Sequence, residues 1–194
     1  MNKVSALVLA AGMSTRMGKH KQLLPYKGTT ILSYILRQIK ASFIDEISLV
    51  LGHNAEELKE ETKPYKPSIV YNPNYKQGMH TSVMAGVRSI QDKSSDFMIF
   101  LGDQPQISAE LINAIMEMSK KTKQGIIIPS FNNRRGHPVL FKSGYRPQLL
   151  SLPEDQGLKA VIQKNKSDIH YLVVNDSSIL SDIDTPEDYA TLLQ

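Results

Sequence analysis

The chain has 194 residues, a length that suits one domain over residues 1–194, and it contains no cysteine, which excludes disulfides, thiolate zinc sites and iron–sulfur clusters. Its formal net charge of +4 suits phosphorylated ligands, whereas scattered Lys and Arg residues and an aromatic content of 7% disfavour nucleic acid as a partner. No apolar run approaches the ~20 residues of a membrane helix, so we expect a cytoplasmic protein without a membrane partner.

The first apolar run, residues 3–10, resembles a strand or the start of a signal peptide. It is short for a signal peptide, and it leads directly into Arg16, Lys19 and Lys21. Because it is apolar at nearly every position, we interpret it as a strand that is covered on both faces of a sheet.

Short apolar runs and amphipathic stretches then alternate along the chain. The further apolar runs predict strands at 47–52, 67–72, 96–103 and 125–130. The amphipathic stretches predict helices at 30–42, 54–63, 80–91 and 108–121. This alternation predicts an α/β protein with a doubly wound, mostly parallel sheet, in which ligands bind at the carboxyl ends of the strands.

The region 131–182 is less regular. Residues 137–142 and 168–175 are expected to be strands of a small flanking β layer, and residues 156–165 a helix. Thr185, Pro186 and the two acids that follow them have the pattern of a helix start, which indicates that Glu187 and Asp188 serve the helix.

The loop after the first strand contains Gly12, Gly18 and three cations. It fails the dinucleotide fingerprint G-x-G-x-x-G, because position 10 is Ala. It also fails the P-loop pattern, because one residue too many separates the glycines and His20 stands where a hydroxyl is needed. What remains is either a loop that cradles a polyphosphate or a plain strand–helix turn with solvated charges.

Residues 9–25, "LAAGMSTRMGKHKQLLP", resemble the N-terminal motif of the MobA-like nucleotidyltransferases, L-A-[AG]-G-x-S-x-R-M-G-x-x-K-x-L-L-P. Four more stretches match in order: "NPNYKQGMHTSV" (72–83), "LGDQP" (101–105), "GHPVLF" (136–141) and "DIDTPEDY" (182–189). Each is weak alone, but five in order are specific, and the likeness is closest to the molybdenum cofactor cytidylyltransferase branch. The resemblance implies the Rossmann variant of the nucleotide-diphospho-sugar transferases.

The resemblance also implies an enzyme that transfers a nucleoside monophosphate from an NTP to a phosphate acceptor. It implies that Arg16 contacts the leaving β- and γ-phosphates, that Lys21 contacts the α-phosphate and that Asp103 has a catalytic role. Lys19 is expected to be a solvated lysine. The nucleotide-binding residues that it implies are Leu9, Ala10, Ala11, Gly12, Arg16, Lys21, Gly78, Ser82 and Asp103. Thr81 and Ser82 could equally do no more than satisfy helix amides.

Asp103 follows a buried strand and precedes Pro105, so it is either a magnesium ligand or the cap of a turn. Asp182 and Asp184 are two residues apart and would face the same side of an extended segment. Either could complete a Mg²⁺ site with Asp103, and the resemblance favours Asp184.

On the acceptor side the resemblance points to Gly136 and His137, although His137 could equally be a structural histidine. Arg134 and Arg135 could meet the acceptor phosphate or lie on the loop surface. Ala11 stands where guanylyl-transferring relatives tend to have Gly, and a methyl group there leaves less room for a purine. The resemblance therefore implies CTP as the donor.

The acceptor that the resemblance implies is molybdopterin, for maturation of a xanthine-dehydrogenase-type client enzyme. One alternative is a sugar- or alditol-phosphate nucleotidyltransferase, which the stretches "GDQP" and "GHPV" disfavour. The other is a non-catalytic protein that binds and delivers the finished cofactor, which would not need the charged residues Arg16, Lys21, Asp103 and Asp184.

Overall fold

The computed structural model describes residues 3–154 and 157–194, and it describes Arg16 by its backbone alone. Within these residues the strands are β1 (Val4–Ala10), β2 (Pro25–Tyr26), β3 (Thr29–Thr30), β4 (Glu46–Leu51), β5 (Ser68–Tyr71), β6 (Asp96–Leu101), β7 (Ile126–Phe131), β8 (Arg134–Arg135), β9 (Val139–Phe141) and β10 (Ile169–Val173). The helices are α1 (Ile31–Lys40), α2 (Ala55–Thr62), α3 (Met79–Ser89), α4 (Ala109–Lys121), α5 (Arg146–Leu149), α6 (Leu158–Lys164) and α7 (Pro186–Leu192).

One large sheet has the strand order β10-β7-β9-β6-β1-β4-β5, with β8 paired to β7. The β1–β4, β1–β6, β4–β5 and β7–β10 pairs are parallel. Strand β9 runs antiparallel to both β6 and β7. The prediction of a mostly parallel α/β sheet is therefore confirmed.

The central strand β1 is buried along its whole length, as its apolar run predicts. Its alternate residues point to opposite faces of the sheet. Val4, Ala6 and Val8 join a core layer with residues of α1 and α4, whereas Leu7 and Leu9 join a second layer with residues of α3 and α6. Helices thus cover both faces, which is the doubly wound arrangement.

The small β layer is present, but it is built from different residues than expected. The two-stranded unit is the hairpin of β2 and β3. The segments 137–142 and 168–175, predicted for that layer, instead supply β9 and β10 of the main sheet. This part of the prediction was wrong, because hydrophobic patterning shows that a segment is a strand but not which strands it pairs with.

Side chains cap three of the described helices, α1, α4 and α7. Thr30 accepts a hydrogen bond from the Ser33 backbone N–H at the start of α1, and Ser108 accepts one from the Leu111 N–H at the start of α4. At α7, Thr185 and Asp188 form a reciprocal capping box. Helix α6 begins at Leu158, and residue 156 of the predicted helix lies outside the described residues. None of the described helices has the length and apolar character needed to cross a membrane.

The carboxyl ends of β1 and β6 lie side by side, with Leu9 level with Leu101. The residue after β6 must be glycine, because a Cβ at Gly102 would lie 2.8 Å from the Leu9 carbonyl oxygen and 3.0 Å from the Ala10 Cβ. This close approach brings Asp103 next to the loop that follows β1.

Candidate active site

Hydrogen bonds of the Ser14 side chain connect the two ends of the loop between β1 and the turn at Lys21–Leu23. Ser14 adopts a left-handed backbone conformation and precedes a 3₁₀ turn over Thr15–Met17. Its hydroxyl accepts from the Lys21 backbone N–H at 3.4 Å and donates to the buried Gln22 side chain at 3.3 Å. A Cβ at Gly12 would meet no atom within 4 Å, so the backbone there is open to a ligand. The role predicted for the Arg16 side chain falls outside the described residues.

The structure brings Lys21, Asp103 and Asp184 together, although 82 and 163 residues separate Lys21 from its two partners. The Lys21 Nζ lies 2.5 Å from Asp103 Oδ2 and 3.0 Å from Asp184 Oδ1. The side chains of Lys21 and Asp103 are only 12% and 18% exposed. Charge–charge interactions at this depth are screened far less than on the surface.

The electrostatics of this cluster are dominated by carboxylates. Burial raises the pKa of Asp103, Lys21 opposes that shift, and the nearby charges of Asp182 and Asp184 reinforce it. Burial works against the charge of Lys21, but Asp103 and Asp184 outweigh it and raise the pKa of the ammonium. Two carboxylates contact one ammonium and a third carboxylate lies near Asp103, so the cluster has an excess of negative charge that a further cation would neutralise.

One observation fits Asp103 as a metal ligand. Its Oδ1 atom is buried and has no hydrogen-bond partner among the described residues. An orphaned carboxylate oxygen is costly to bury, and hard cations such as Mg²⁺ prefer oxygen ligands. No cluster of three or more His, Cys, Asp or Glu side chains suited to a metal occurs in the part of the chain that is described. Asp103 and Asp184 would therefore need further oxygen ligands, which the phosphates of a nucleotide can supply.

Asp182 and Asp184 have different surroundings. Asp184 contacts Lys21, whereas Asp182 accepts a hydrogen bond from the buried Gln104 side chain at 2.6 Å. The Asp184 backbone N–H donates to Asp188, which connects the segment to the cap of α7. Of the two, Asp184 is thus the carboxylate beside Asp103 and Lys21.

The residues predicted to bind the nucleoside differ in whether they can offer a ligand their backbone or their side chain. The side chains of Leu9, Ala10 and Ala11 are buried, so these residues offer a ligand mainly their backbone. Ser82 is also buried, and its hydroxyl accepts a hydrogen bond from Asn72 at 3.0 Å. Gly78 precedes α3 directly, at the N-terminal end of the helix.

Asn72 is one of two features of this cleft that sequence reasoning missed. Its amide donates to Thr81 and Ser82, while its oxygen accepts from the Asn74 backbone N–H. It therefore ties the segment after β5 to the start of α3. The signal was the "NPNY" stretch, which begins with this residue.

The second missed feature is a set of three rings beside the glycine loop. His20 and His53 stack with centroids 4.9 Å apart, and Tyr75 lies 6.0 Å from His53. The His53 backbone N–H also donates to the Ala11 carbonyl. Burial and the neighbouring His53 lower the pKa of His20, with Glu57 opposing them. The rings come from three separate turns, and no sequence spacing indicates that they meet.

On the opposite side of the cleft, Gly136 packs so tightly that a Cβ would overlap the Ile179 carbonyl oxygen. The next residue, His137, is largely buried, and its Nδ1 atom has no hydrogen-bond partner among the described residues. Burial lowers the pKa of His137, opposed by the Asp182 charge and the Ile99 carbonyl. Burial therefore favours the neutral form of the His137 imidazole.

Comparison with known proteins identifies the family of this chain. The MobA-like NTP transferase domain matches residues 6–169. Molybdenum cofactor cytidylyltransferase of Escherichia coli K12 is 31% identical, over 98% of this chain and 96% of that protein. Purine catabolism protein PucB of Bacillus subtilis 168 is also 31% identical, over 93% of this chain and 91% of that protein.

Solved structures show the same fold. A crystal structure of Rv0371c from Mycobacterium tuberculosis H37Rv in complex with manganese aligns with a TM-score of 0.85 and 26% identity, covering 99% of this chain and 98% of that one. The resemblance inferred from the five stretches is confirmed.

Proposed function

Because this chain belongs to the MobA-like NTP transferase family, we propose that it transfers CMP from CTP to the phosphate of molybdopterin and releases pyrophosphate. The family model describes an NTP transferase domain, and the E. coli relative is a cytidylyltransferase by name. The observation that carries the proposal is the meeting of Lys21, Asp103 and Asp184 beside an open glycine-rich loop.

The reaction needs positioning and charge neutralisation more than acid–base chemistry. An oxygen of the acceptor phosphate attacks the α-phosphorus of CTP and forms the new P–O bond. The bond from the α-phosphorus to the oxygen that bridges to the β-phosphate breaks, and pyrophosphate leaves with that electron pair. No general base is required, because an ionised phosphate is already a nucleophile.

Lys21 is the residue that we propose acts on the α-phosphate. Its backbone N–H is held by Ser14, so the root of the side chain is fixed while the ammonium can exchange carboxylate for phosphate partners. A positive charge near the α-phosphate stabilises the negative charge that develops in the transition state.

Mg²⁺ is the cation that we propose for this site. Asp103 and Asp184 would hold it, and it would neutralise phosphate charge during the transfer. The orphaned Asp103 Oδ1 supports this proposal, and so does the manganese in the Rv0371c complex.

CTP is proposed as the donor on two grounds. Ala11 directly follows β1, at the position where the resemblance indicates Gly in guanylyl-transferring relatives. The E. coli relative is a cytidylyltransferase by name. The same name supports molybdopterin as the acceptor. A purine-oxidising molybdoenzyme as client is consistent with the B. subtilis relative, which is named for purine catabolism.

The test is pyrophosphate release with each of the four NTPs, Mg²⁺ and molybdopterin. We expect release with CTP that depends on both the acceptor and the metal. Faster turnover with GTP than with CTP would overturn the donor assignment. Tight molybdopterin binding without pyrophosphate release from any NTP would favour a cofactor carrier instead.

A further inference from the structure

The two outer strands of the main sheet differ in the residues that flank their open edges. Strands β5 and β10 end the strand order, so each has one edge that pairs with no strand from the described part of the chain. Strand β5 directly follows Lys66 and Pro67, and lysine and proline discourage pairing at a sheet edge. Residues 169–173 of β10 contain neither. The β10 edge therefore lacks this protection against a further strand.

The open edge of β10 presents backbone hydrogen-bonding groups. The Val174 N–H donates to the Ser130 carbonyl beside β10 at 2.9 Å. In a parallel ladder alternate residues bond the same neighbour, so the N–H and carbonyl groups of Ile169, Tyr171 and Val173 point away from β7. A row of such groups is a template onto which another strand can pair.

The side chains along this edge include exposed apolar groups. Tyr171 is 42% exposed and Val173 is 77% exposed, although valine is among the residue types that are most often buried. Both lie on the sheet face of Ile169, which belongs to the core layer that includes residues of α3 and α6. A second strand beside β10 would cover apolar area on this face and pair the open backbone groups.

Charges at the two ends of β10 indicate which strand that is. Lys166 lies five residues before Tyr171, and Asp176 lies five residues after it. Both side chains are exposed, and neither forms an ion pair with another described residue. A lysine at one end and an aspartate at the other make this edge complementary to a second copy of itself in the antiparallel direction.

One register of such a pair suits both the backbone and the charges. With Tyr171 on the two-fold axis, Ile169 lies opposite Val173 of the partner subunit, so the backbone groups that point away from β7 face each other. The same register brings Lys166 towards Asp176 of the partner subunit, twice in the dimer. Moving one strand by two residues would either place Asp168 opposite the partner's Asp176 or separate Lys166 from it. Moving it by one residue would set outward-pointing backbone groups against residues that already bond β7.

We propose that the chain forms a symmetric dimer in which two β10 strands pair in the antiparallel direction, with Tyr171 on the axis and Lys166 beside Asp176 of the partner subunit. The two main sheets then form one continuous sheet. Strands β7 and β9 separate β10 from β6, the strand that leads into Asp103, so the interface lies away from the candidate active site. The inference is therefore independent of the proposed function.

Cysteine cross-linking tests the register, because the chain has no cysteine of its own. Directly opposite residues of a hydrogen-bonded antiparallel pair have Cα atoms about 5.5 Å apart, which a disulfide can span. Tyr171→Cys should therefore form a covalent dimer on mild oxidation with copper phenanthroline. Val173→Cys is the matched control: four residues offset its two copies by about 13 Å, so it should remain uncrosslinked. Equal cross-linking of the two variants, or none in Tyr171→Cys, would overturn the proposal.

Sedimentation equilibrium tests the dimer itself. We expect a wild-type dissociation constant in the micromolar range, as for a small interface. Tyr171→Lys places two ammonium groups at the axis and should raise that constant about tenfold or more. Ile69→Lys, at a 39% exposed position on the β5 edge, is the control and should leave it unchanged. Circular dichroism should show that both variants keep the fold, since both positions are exposed.

A charge exchange tests the ends of the interface. Lys166→Asp should weaken the dimer several-fold, because it places two acids together at each end. Adding Asp176→Lys to that variant should restore the dimer to nearly wild-type strength. A wild-type protein that stays monomeric up to about 1 mM, where any remaining affinity is only about 4 kcal/mol, would overturn the proposal. So would a dimer that survives Tyr171→Lys unchanged, or a double variant that is no stronger than Lys166→Asp.

Discussion

Replacing Asp103 with Asn tests the central cluster with the least change in shape. The substitution leaves Lys21 paired with Asp184, removes the negative charge of residue 103, and leaves a single side-chain oxygen where Lys21 and the cation would each need one. Loss of one preorganised charge partner costs about 2.7–4 kcal/mol in the transition state, or roughly 10²–10³ in rate. Stability should respond differently. Burial raises the pKa of Asp103, so the fold disfavours its charge, and a neutral amide should change the unfolding free energy by no more than about 1 kcal/mol.

The assay measures kcat for pyrophosphate release across a Mg²⁺ titration, together with urea unfolding at pH 7. We expect a lower kcat and a higher Mg²⁺ requirement in a variant that unfolds at nearly the wild-type urea concentration. Asp182→Asn is the matched control, because Asp182 contacts Gln104 and not Lys21, and it should lose less than about tenfold in rate. Equal losses in the two variants, or near-normal turnover in Asp103→Asn, would refute the assignment.

Three further changes have distinct expected outcomes. Lys21→Met should lower kcat by a factor of about 10² or more, with a smaller effect on CTP affinity measured by calorimetry. Lys19→Met, at an exposed lysine, should change neither quantity. Equal losses of kcat in the two variants would argue against the role of Lys21. Gly102→Ala should lower the unfolding free energy by about 1–3 kcal/mol in urea titrations, because its Cβ would crowd the end of β1, and a neutral result would contradict that packing. Burial lowers the pKa of His137 below its value in the unfolded chain, so wild-type stability should fall as the pH drops below about 6.5, by up to about 2 kcal/mol at pH 5. His137→Gln should reduce that fall in urea titrations at several pH values. Identical pH profiles for the two proteins would count against a buried neutral ring.

Much of the fold could be predicted because the parallel strands of a doubly wound sheet are covered on both faces. Strand β1 is apolar at nearly every position for this reason, and β4 and β6 have the same character. The placement of β9 could not be predicted. It has three residues, too few to show a hydrophobic period. Its antiparallel insertion between β6 and β7 depends on a long-range pairing that leaves no signal in the local sequence.

The candidate site also has a part that could be predicted from the sequence and a part that could not. The cluster of Lys21, Asp103 and Asp184 was predictable because each residue belongs to a recognisable stretch, and the Gly102–Asp103 pair ends a buried strand. The stacking of His20 on His53 was not, since stacking depends on how two turns are oriented in space. Which of Asp182 and Asp184 contacts Lys21 could not be predicted either, because two residues on the same side of an extended segment have identical patterns in sequence.

The separation of Lys21, Asp103 and Asp184 along the chain has a consequence for the maturation of the protein. All strands of the main sheet precede residue 174, whereas Asp184 lies ten residues further on. A nascent or truncated polypeptide that ends before Asp184 contains every one of those strands and still lacks one of the three charged groups. If Asp184 has the role that we propose, turnover requires that the segment after the last strand of the main sheet is docked against Lys21.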